Sequence, residues 1–296
     1  MRTLLCTAVI LPLFVGCFKT PDQAVAPIEA DAVQSEILTI VTFNIRNGKV
    51  DDGPNRWDNR KELVSNLLAE YKADIIGLQE VYDFQFDQIS RNLQDWDAVF
   101  TGRDDGRRAG EACPIFYRRD RFERLDWGTF WFSDTPDVPG SRHWGNNYTR
   151  ICTWVYLRER HTGKTLHIYN LHLDHESQIS REKSAQMLID RIDRQPKKDF
   201  YIVLGDFNSD IHNPAMQSLL KGNLRIDTWQ AVHGLAEPAG TYHAFSGAAK
   251  GGKIDFILVP QGTEVFEADI DQRSFDGRYP SDHFPVFARV VLPPGD

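Results

Sequence analysis

Asp206 and Asn208 stand two residues apart in the stretch Gly205-Asp206-Phe207-Asn208, directly after the apolar run Tyr201-Ile202-Val203-Leu204. The run has the length and β-propensity of a buried strand. Asn213-Pro214 follows soon after, so the chain leaves the sheet there. Residues two apart at a strand end point the same way. The carboxylate can hold a water as acceptor, while the amide donates to that water or to a phosphate oxygen. Taken alone, Asp and Asn after a strand are ordinary turn formers. A chemical reading therefore depends on what other strand ends supply.

Several supply polar groups. Ile37 to Phe43 reads as a strand ending at Asn44, a residue disfavoured within strands. Asp74 to Gln79 is a second buried strand with Glu80 at its tip; the competing reading of Glu80 is an acid favoured by the dipole of the helix that follows. Leu166 to His175 is a third, and alternation puts Asn170, His172 and Asp174 on one face. His172 and His175 suit either metal ligation or plain hydrogen bonding, the commoner use of a strand-end imidazole. Asp255 sits within the apolar run Lys253 to Val259, where a carboxylate is costly unless paired. Asp282-His283 places a carboxylate and an imidazole side by side ahead of the last strand. The set is rich in oxygen and lacks cysteine, which suits a hard cation such as Mg²⁺ or Mn²⁺. A zinc centre from His172, His175 and His212 lacks a clustered ligand spacing.

Other elements must position these groups. Trp57 to Tyr71 has helical spacing, with Leu63, Leu67 and Leu68 on one side, and a second helix is expected from about Ser177 to Arg194. Between 96 and 160, short alternating runs broken by Gly, Pro and Asp predict a meander of antiparallel strands. That stretch also holds Arg103, Arg107, Arg108, Arg118, Arg119, Arg142 and Arg150. Most read as solvated edge charges, with Arg150 the candidate to clamp a phosphate. Trp144, Tyr148, Tyr242 and Phe245 suit stacking on a base or sugar, or packing within loops; loop packing is the favoured reading. Neither repeats nor low-complexity segments occur, and nothing after residue 37 resembles a linker, so residues 37–294 are read as one domain.

The chain of 296 residues is 41% hydrophobic and 26% charged, with a formal net charge of -8. That composition is of a folded protein with ample core. The acidic body argues against broad electrostatic binding of nucleic acid. Arg2 followed by the apolar run Leu4 to Val15 is too short to span a bilayer and suits a signal peptide. Phe14-Val15-Gly16-Cys17 resembles a bacterial lipoprotein processing site, apart from Phe14 where that pattern prefers Leu. The expectation is a signal peptide over 1–16, acylated Cys17 as first mature residue, a polar tether over 18–36, and anchoring to a membrane in the periplasm or at the cell surface. Secretion after Ala24-Val25-Ala26 is the alternative. Cys113 and Cys152 then remain, as a disulfide or as two half-buried thiols.

Six short motifs, in order, carry a family resemblance. They are Thr42-Phe43-Asn44, Leu78-Gln79-Glu80, Asn170-Leu171-His172, Gly205-Asp206-Phe207-Asn208, Ile254-Asp255-Phe256-Ile257 and Ser281-Asp282-His283. In wording and order the chain resembles the endonuclease/exonuclease/phosphatase superfamily. That group includes DNase I-like nucleases, apurinic-site endonucleases, neutral sphingomyelinases and inositol polyphosphate 5-phosphatases. The resemblance implies an α/β fold, a four-layer sandwich of two packed mixed β-sheets flanked by helices, with the site at one sheet edge. It implies Glu80 as chief metal ligand, with Asn44 beside it and Asp282 sharing the ion. Asp206 would position or deprotonate water, Asn208 would hold that water and a phosphate oxygen, and Asp255 would pair with His283. His172 would contact a phosphate oxygen or protonate the leaving group. The implied activity is metal-dependent hydrolysis of phosphate esters, nuclease-like or otherwise on diesters; with the N-terminal segment this gives the expectation of a monomeric enzyme outside the cytoplasm. Its substrates would be nucleic acid fragments or phospholipid headgroups. The alternatives are a surface phosphomonoesterase, a sphingomyelinase-like lipid phosphodiesterase, or an inactive binding protein of the same fold.

Overall fold

The computed structural model describes residues 37–195 and 199–292. The expected signal peptide, Cys17 and tether lie outside the described residues. In chain order the elements are β1 (Ile37–Asn44), α1 (Trp57–Glu70), β2 (Ile75–Gln79), α2 (Asp83–Asn92), β3 (Trp96–Val99), β4 (Ile115–Arg118), β5 (Phe122–Trp131), β6 (Ile151–Glu159) and β7 (Thr165–His172). There follow α3 (Gln178–Asp193), β8 (Phe200–Asp206), α4 (Pro214–Leu220), β9 (Arg225–Asp227), α5 (Thr228–His233), β10 (Asp255–Pro260), β11 (Val265–Ile270) and β12 (Val286–Val291).

The strands form two six-stranded sheets, in the orders β11-β12-β1-β2-β4-β3 and β5-β6-β7-β8-β10-β9. Each sheet has one parallel pair, β1 with β2 and β7 with β8, among antiparallel neighbours. A helix bridges each parallel pair, because parallel strands need a crossover and a helix supplies it. Apolar side chains divide by strand face into three layers of core. Ile40, Ile75, Ile168, Ile202 and Leu204 fill the space between the sheets. Phe43, Ile76 and Leu78 face outward onto Val64, Leu67 and Leu68 of α1. On the outer face of the second sheet, Leu171, Val203 and Phe256 pack against Ala185 and Leu188 of α3 and Met216 of α4. Each such aliphatic or aromatic side chain contributes about 1.5–3 kcal/mol on burial. The four-layer sandwich expected from the sequence is the observed fold.

The predicted helices are present, and their starts have local causes. Ser177 Oγ accepts from the Ser180 N–H at 3.2 Å to cap α3, and Asn213 Oδ1 accepts from Ala215 N–H at 3.0 Å to cap α4. The predicted meander over 96–160 needs correction. β3 and β4 belong to the first sheet, whereas β5 and β6 begin the second. Alternation is the same in both sheets, so it does not show where the chain crosses from one to the other. The disulfide reading is also set aside: Cys113 and Cys152 are buried free thiols.

Close contact between the sheets is made by Gly77 and a polar cluster beside it. A Cβ at Gly77 would lie 1.9 Å from Leu204 Cδ1 and 3.0 Å from Asn170 Cγ, so glycine allows β2 to approach the facing sheet. Gln79 Nε2 donates to Thr42 Oγ1 at 3.0 Å and to Asn170 Oδ1 at 2.7 Å. Asn170 Nδ2 in turn donates to the carbonyls of Leu78 at 2.9 Å and Pro114 at 2.8 Å. All three side chains are fully buried, and these bonds give the amide nitrogens of Gln79 and Asn170 the partners that buried donors require.

Candidate active site

The site lies where strands from both sheets end on one side of the sandwich. Asn44 and Asp206 are the last residues of β1 and β8, His172 ends β7, and Glu80 follows β2 directly. β10 runs antiparallel to β8, so its first residue, Asp255, pairs across from Asp206. β12 runs antiparallel to β1, which brings the preceding Asp282 and His283 to the same edge. Polar groups from six separate stretches thus meet because parallel strands finish, and antiparallel ones start, at a common rim.

Hydrogen bonds fix the cluster. Asn44 Nδ2 donates to Glu80 Oε1 at 3.1 Å and to Asp206 Oδ2 at 3.0 Å, while its Oδ1 accepts from Arg46 N–H at 3.0 Å. In this arrangement Asn44 orients two carboxylates, one from each sheet. Glu80 has φ of 61°. A non-glycine residue in that region carries a cost of about 1–3 kcal/mol, tolerated where the surroundings determine it. Here Asn47 N–H binds Glu80 Oε2 at 2.8 Å. Asn208, also at positive φ (47°), donates its N–H to Asp206 Oδ1 at 2.9 Å and its Nδ2 to Leu173 O at 3.0 Å. His283 Nδ1 lies 2.9 Å from Asp255 Oδ2, and both are buried. The partner that Asp255 required on energetic grounds is therefore His283. Asp206 Oδ2 is 3.5 Å from His172 Nε2 and 3.9 Å from His283 Nε2.

The surroundings separate the ionisation of these groups. Burial works against an imidazolium at His283, but the charge and hydrogen bond of Asp255, with Asp206 and Asp282 nearby, raise its pKa to about 10. Burial together with the positive charges of Arg150 and Arg103 drives His172 well below the ordinary imidazole range. Burial and the neighbouring Asp255 carboxylate raise Asp206 to about 7. For Glu80 burial acts upward, yet hydrogen bonding from Asn44 and the charge of His283 outweigh it, and its pKa is lowered. Burial and the charge of Glu80 raise Asp282. Pairs of titratable groups pushed apart in this way mark acid–base sites.

The donor set fits a hard divalent cation at Glu80 and Asp282. Both carboxylates line one cleft, Asp282 feels the charge of Glu80, and Arg46 Nε reaches Asp282 Oδ2 only at 3.7 Å. Their oxygen-only character is that of a Mg²⁺ or Mn²⁺ site. Ligand-type atoms of Asp206, Asp255 and His283 also lie within 4.8 Å of one another. Within that trio His283 Nδ1 and Asp255 Oδ2 are already hydrogen-bonded to each other at 2.9 Å, so each has one ligand-type atom engaged.

The cleft has a volume of about 450 Å³ and is lined by all of these groups except Asn44 and Asp255, which lie beneath it. Arg150 is there too, with Nε 3.4 Å from Asp174 Oδ2 and Nη2 2.7 Å from His175 Nδ1. Glu111, Arg103 and Asn47 also line it and were not singled out as site residues from the sequence, as do Tyr148 and Tyr242, which were named only as aromatics for stacking or loop packing. Two expectations are corrected. Arg103 is buried rather than a solvated edge charge, because it is bound to Glu111 at 2.7 Å. Tyr148 and Tyr242 are 51% and 48% exposed at the cleft instead of packed within loops; Trp144 does pack against the core of the second sheet. His212 lines a different hollow, beside Trp229 and Leu235. A larger hollow of about 920 Å³ near Tyr71 and Asp271 contains no histidine.

A cleft of carboxylates, amides and imidazoles at the joined edges of two packed sheets is the arrangement of a phosphoric ester hydrolase. Residues 41–283 match the Endonuclease/Exonuclease/phosphatase family, and the chain belongs to it. Among solved structures it is similar to the mannosyl-6-phosphatase of Bacteroides thetaiotaomicron, with a TM-score of 0.79 and 29% identity over 86% of this chain and 100% of that one. An uncharacterized protein of Acanthamoeba polyphaga mimivirus is 34% identical over 52% of this chain, and the match spans 60% of that protein. The Ccr4 exoribonuclease subunit of the CCR4-Not complex of Mycosarcoma maydis is 29% identical over 47% of this chain and 23% of its own length.

Proposed function

We propose that the protein hydrolyses phosphate esters with the help of a divalent metal ion, as a monomer exported from the cytoplasm. The observation that carries this reading is the meeting of Asp206 with the His283–Asp255 pair on one side and Glu80 with Asp282 on the other. Glu80 and Asp282 would hold Mg²⁺ or Mn²⁺, which on binding would offset charge on a phosphoryl oxygen. Asp206 accepts a proton from the attacking water, whose oxygen forms the new bond to phosphorus. The ester P–O bond on the opposite side breaks, and the departing alkoxide takes a proton from solvent water, while the proton on Asp206 returns to solvent. The His283 imidazolium, kept charged by Asp255, and the second N–H of the Asn208 amide stabilise the equatorial oxygens around the pentacoordinate phosphorus. His172, kept neutral by burial and two guanidiniums, acts as a hydrogen-bond donor to a phosphoryl oxygen, with Arg150 beside it. Of its two expected roles, this is the one its surroundings favour.

The test is hydrolysis of an aryl phosphate, a bis-aryl phosphodiester, an oligonucleotide and a choline phospholipid after chelation and after return of Mg²⁺ or Mn²⁺. Activity is expected to vanish with chelation and return with metal. Glu80→Gln is expected to lower kcat/KM about 100-fold or more, near 2.7 kcal/mol, and to flatten the Mg²⁺ titration with an unchanged circular dichroism spectrum. An unaltered Mg²⁺ titration in that variant would remove Glu80 from the ion.

A further inference from the structure

We propose that the part of the cleft formed by Glu111, Arg103, Asn47 and Tyr148 is the leaving-group subsite, and that it takes the hydroxyl-rich alcohol of a small sugar-type monophosphate. This rests on the phosphoester reading above and assigns the substrate class of that same site.

Glu111 is nearly buried, yet it lines the cleft together with Glu80 and His172. Its Oε1 accepts from Asn47 Nδ2 at 2.9 Å and its Oε2 is 2.7 Å from Arg103 Nη1. An ionised carboxylate has about four acceptor sites, so two bonds leave capacity for hydroxyl donors. Arg103 and Asn47 have further N–H groups that suit hydroxyl oxygens. Tyr148 supplies what polar groups lack, an exposed ring at the opening. It is held in place, with its centroid 5.7 Å from the Arg103 guanidinium carbon and 5.9 Å from the His175 ring. A sugar presents hydroxyl edges and an apolar C–H face, and this subsite offers a planar acceptor and planar donors for the first and a ring for the second.

Charge pairing argues against the polyanionic alternative. A protein that holds a nucleic acid strand neutralises successive phosphates with available Lys and Arg. Each arginine lining this cleft already has a carboxylate partner: Arg46 with Asp52 at 2.9 Å, Arg103 with Glu111 at 2.7 Å, and Arg150 with Asp174 at 3.4 Å. A second phosphate placed beside the scissile one would meet Glu111. The cleft volume of about 450 Å³ lies in the range of small-molecule pockets, about 300–1,000 Å³.

The experiment measures kcat/KM with Mg²⁺ for a hexose phosphate, for p-nitrophenyl phosphate and for a single-stranded oligonucleotide, in the wild type, Glu111→Gln and Tyr148→Ala. The wild type is expected to favour the hexose phosphate over the oligonucleotide. In Glu111→Gln the ratio of hexose phosphate to aryl phosphate activity is expected to fall about 10-fold to 100-fold, as for loss of a charged hydrogen bond. Tyr148→Ala changes an exposed side chain, so it keeps the test open if the buried substitution unfolds the protein; its ratio should fall in the same direction. An unmoved ratio in both folded variants overturns the subsite. Preference for the oligonucleotide, with cleavage lost in Glu80→Gln, overturns the substrate class and leaves the phosphoesterase reading intact. Hydrolysis of no phosphoester by the wild type overturns both.

Discussion

Two imidazoles flank Asp206, and their surroundings push their protonation in opposite directions. His283 is bonded to Asp255 and is held as a cation up to about pH 10, whereas His172 faces Arg150 and Arg103 and stays neutral. Because the folded pKa of His283 lies above its ordinary 6.5, the pair's contribution to stability is complete below about pH 6.5 and is lost as pH rises through about 10. The same pair should set the alkaline limb of the rate profile. Asp255→Asn is expected to move that limb to lower pH, since the imidazolium loses its counter-charge. Asp255→Asn and His283→Ala should each lose activity, and the double variant should lose little more than the worse single one, because the second change removes a group already disabled. Free energies that simply add, with the limb unmoved, would refute the pair.

Elements bring these residues together, and the elements were the most legible level of the sequence. Apolar runs at Ile37–Phe43, Ile75–Gln79, Leu166–His172 and Tyr201–Leu204 are long, bounded and β-branched, so strand identity and polar tips could both be read. Glu111 could not, since it stands in a loop where neither period nor spacing predicts direction, and for the same reason Tyr148 and Tyr242 could be named as candidates for stacking but not placed at the cleft. The pairing of Gly110 with Glu111 ahead of β4 was the available signal, and it resembles any turn. The link between sheets was equally hidden, because Asn170 reads as one more polar residue in an alternating strand. Its three buried hydrogen-bond partners make it structural cement directly behind Glu80. Asn170→Ala is expected to destabilise the protein by about 3 kcal/mol, through the loss of three buried hydrogen bonds and a small void. Urea unfolding should show the midpoint lowered at unchanged m; a midpoint equal to wild type would show the bonds to be dispensable.

At the scale of the whole molecule, an acidic chain with a net charge of -8 encloses a site whose cations are already paired. That balance suits a small anionic substrate better than a charged polymer. Export is a separate proposal, supported by Arg2, the apolar run to Val15 and Gly16-Cys17. Cys17→Ser is expected to abolish labelling by a fatty-acid analogue and to release or mislocalise the protein in a bacterial host. Mass spectrometry that finds an unlipidated mature N-terminus after Ala26 would exclude acylation.

The second sheet is made entirely by residues 122–260, whereas the first needs both β1–β4 and β11–β12. Asp282 and His283 stand just ahead of β12, which pairs with β1 along Ile37 to Thr42. During synthesis, then, Asn44 and Glu80 emerge early and Asp206 and Asp255 midway, but the imidazolium arrives only with the final strand. The rim of the site is therefore complete only when β12 is paired with β1, since that strand is what carries Asp282 and His283 to the edge where Asn44 and Glu80 stand.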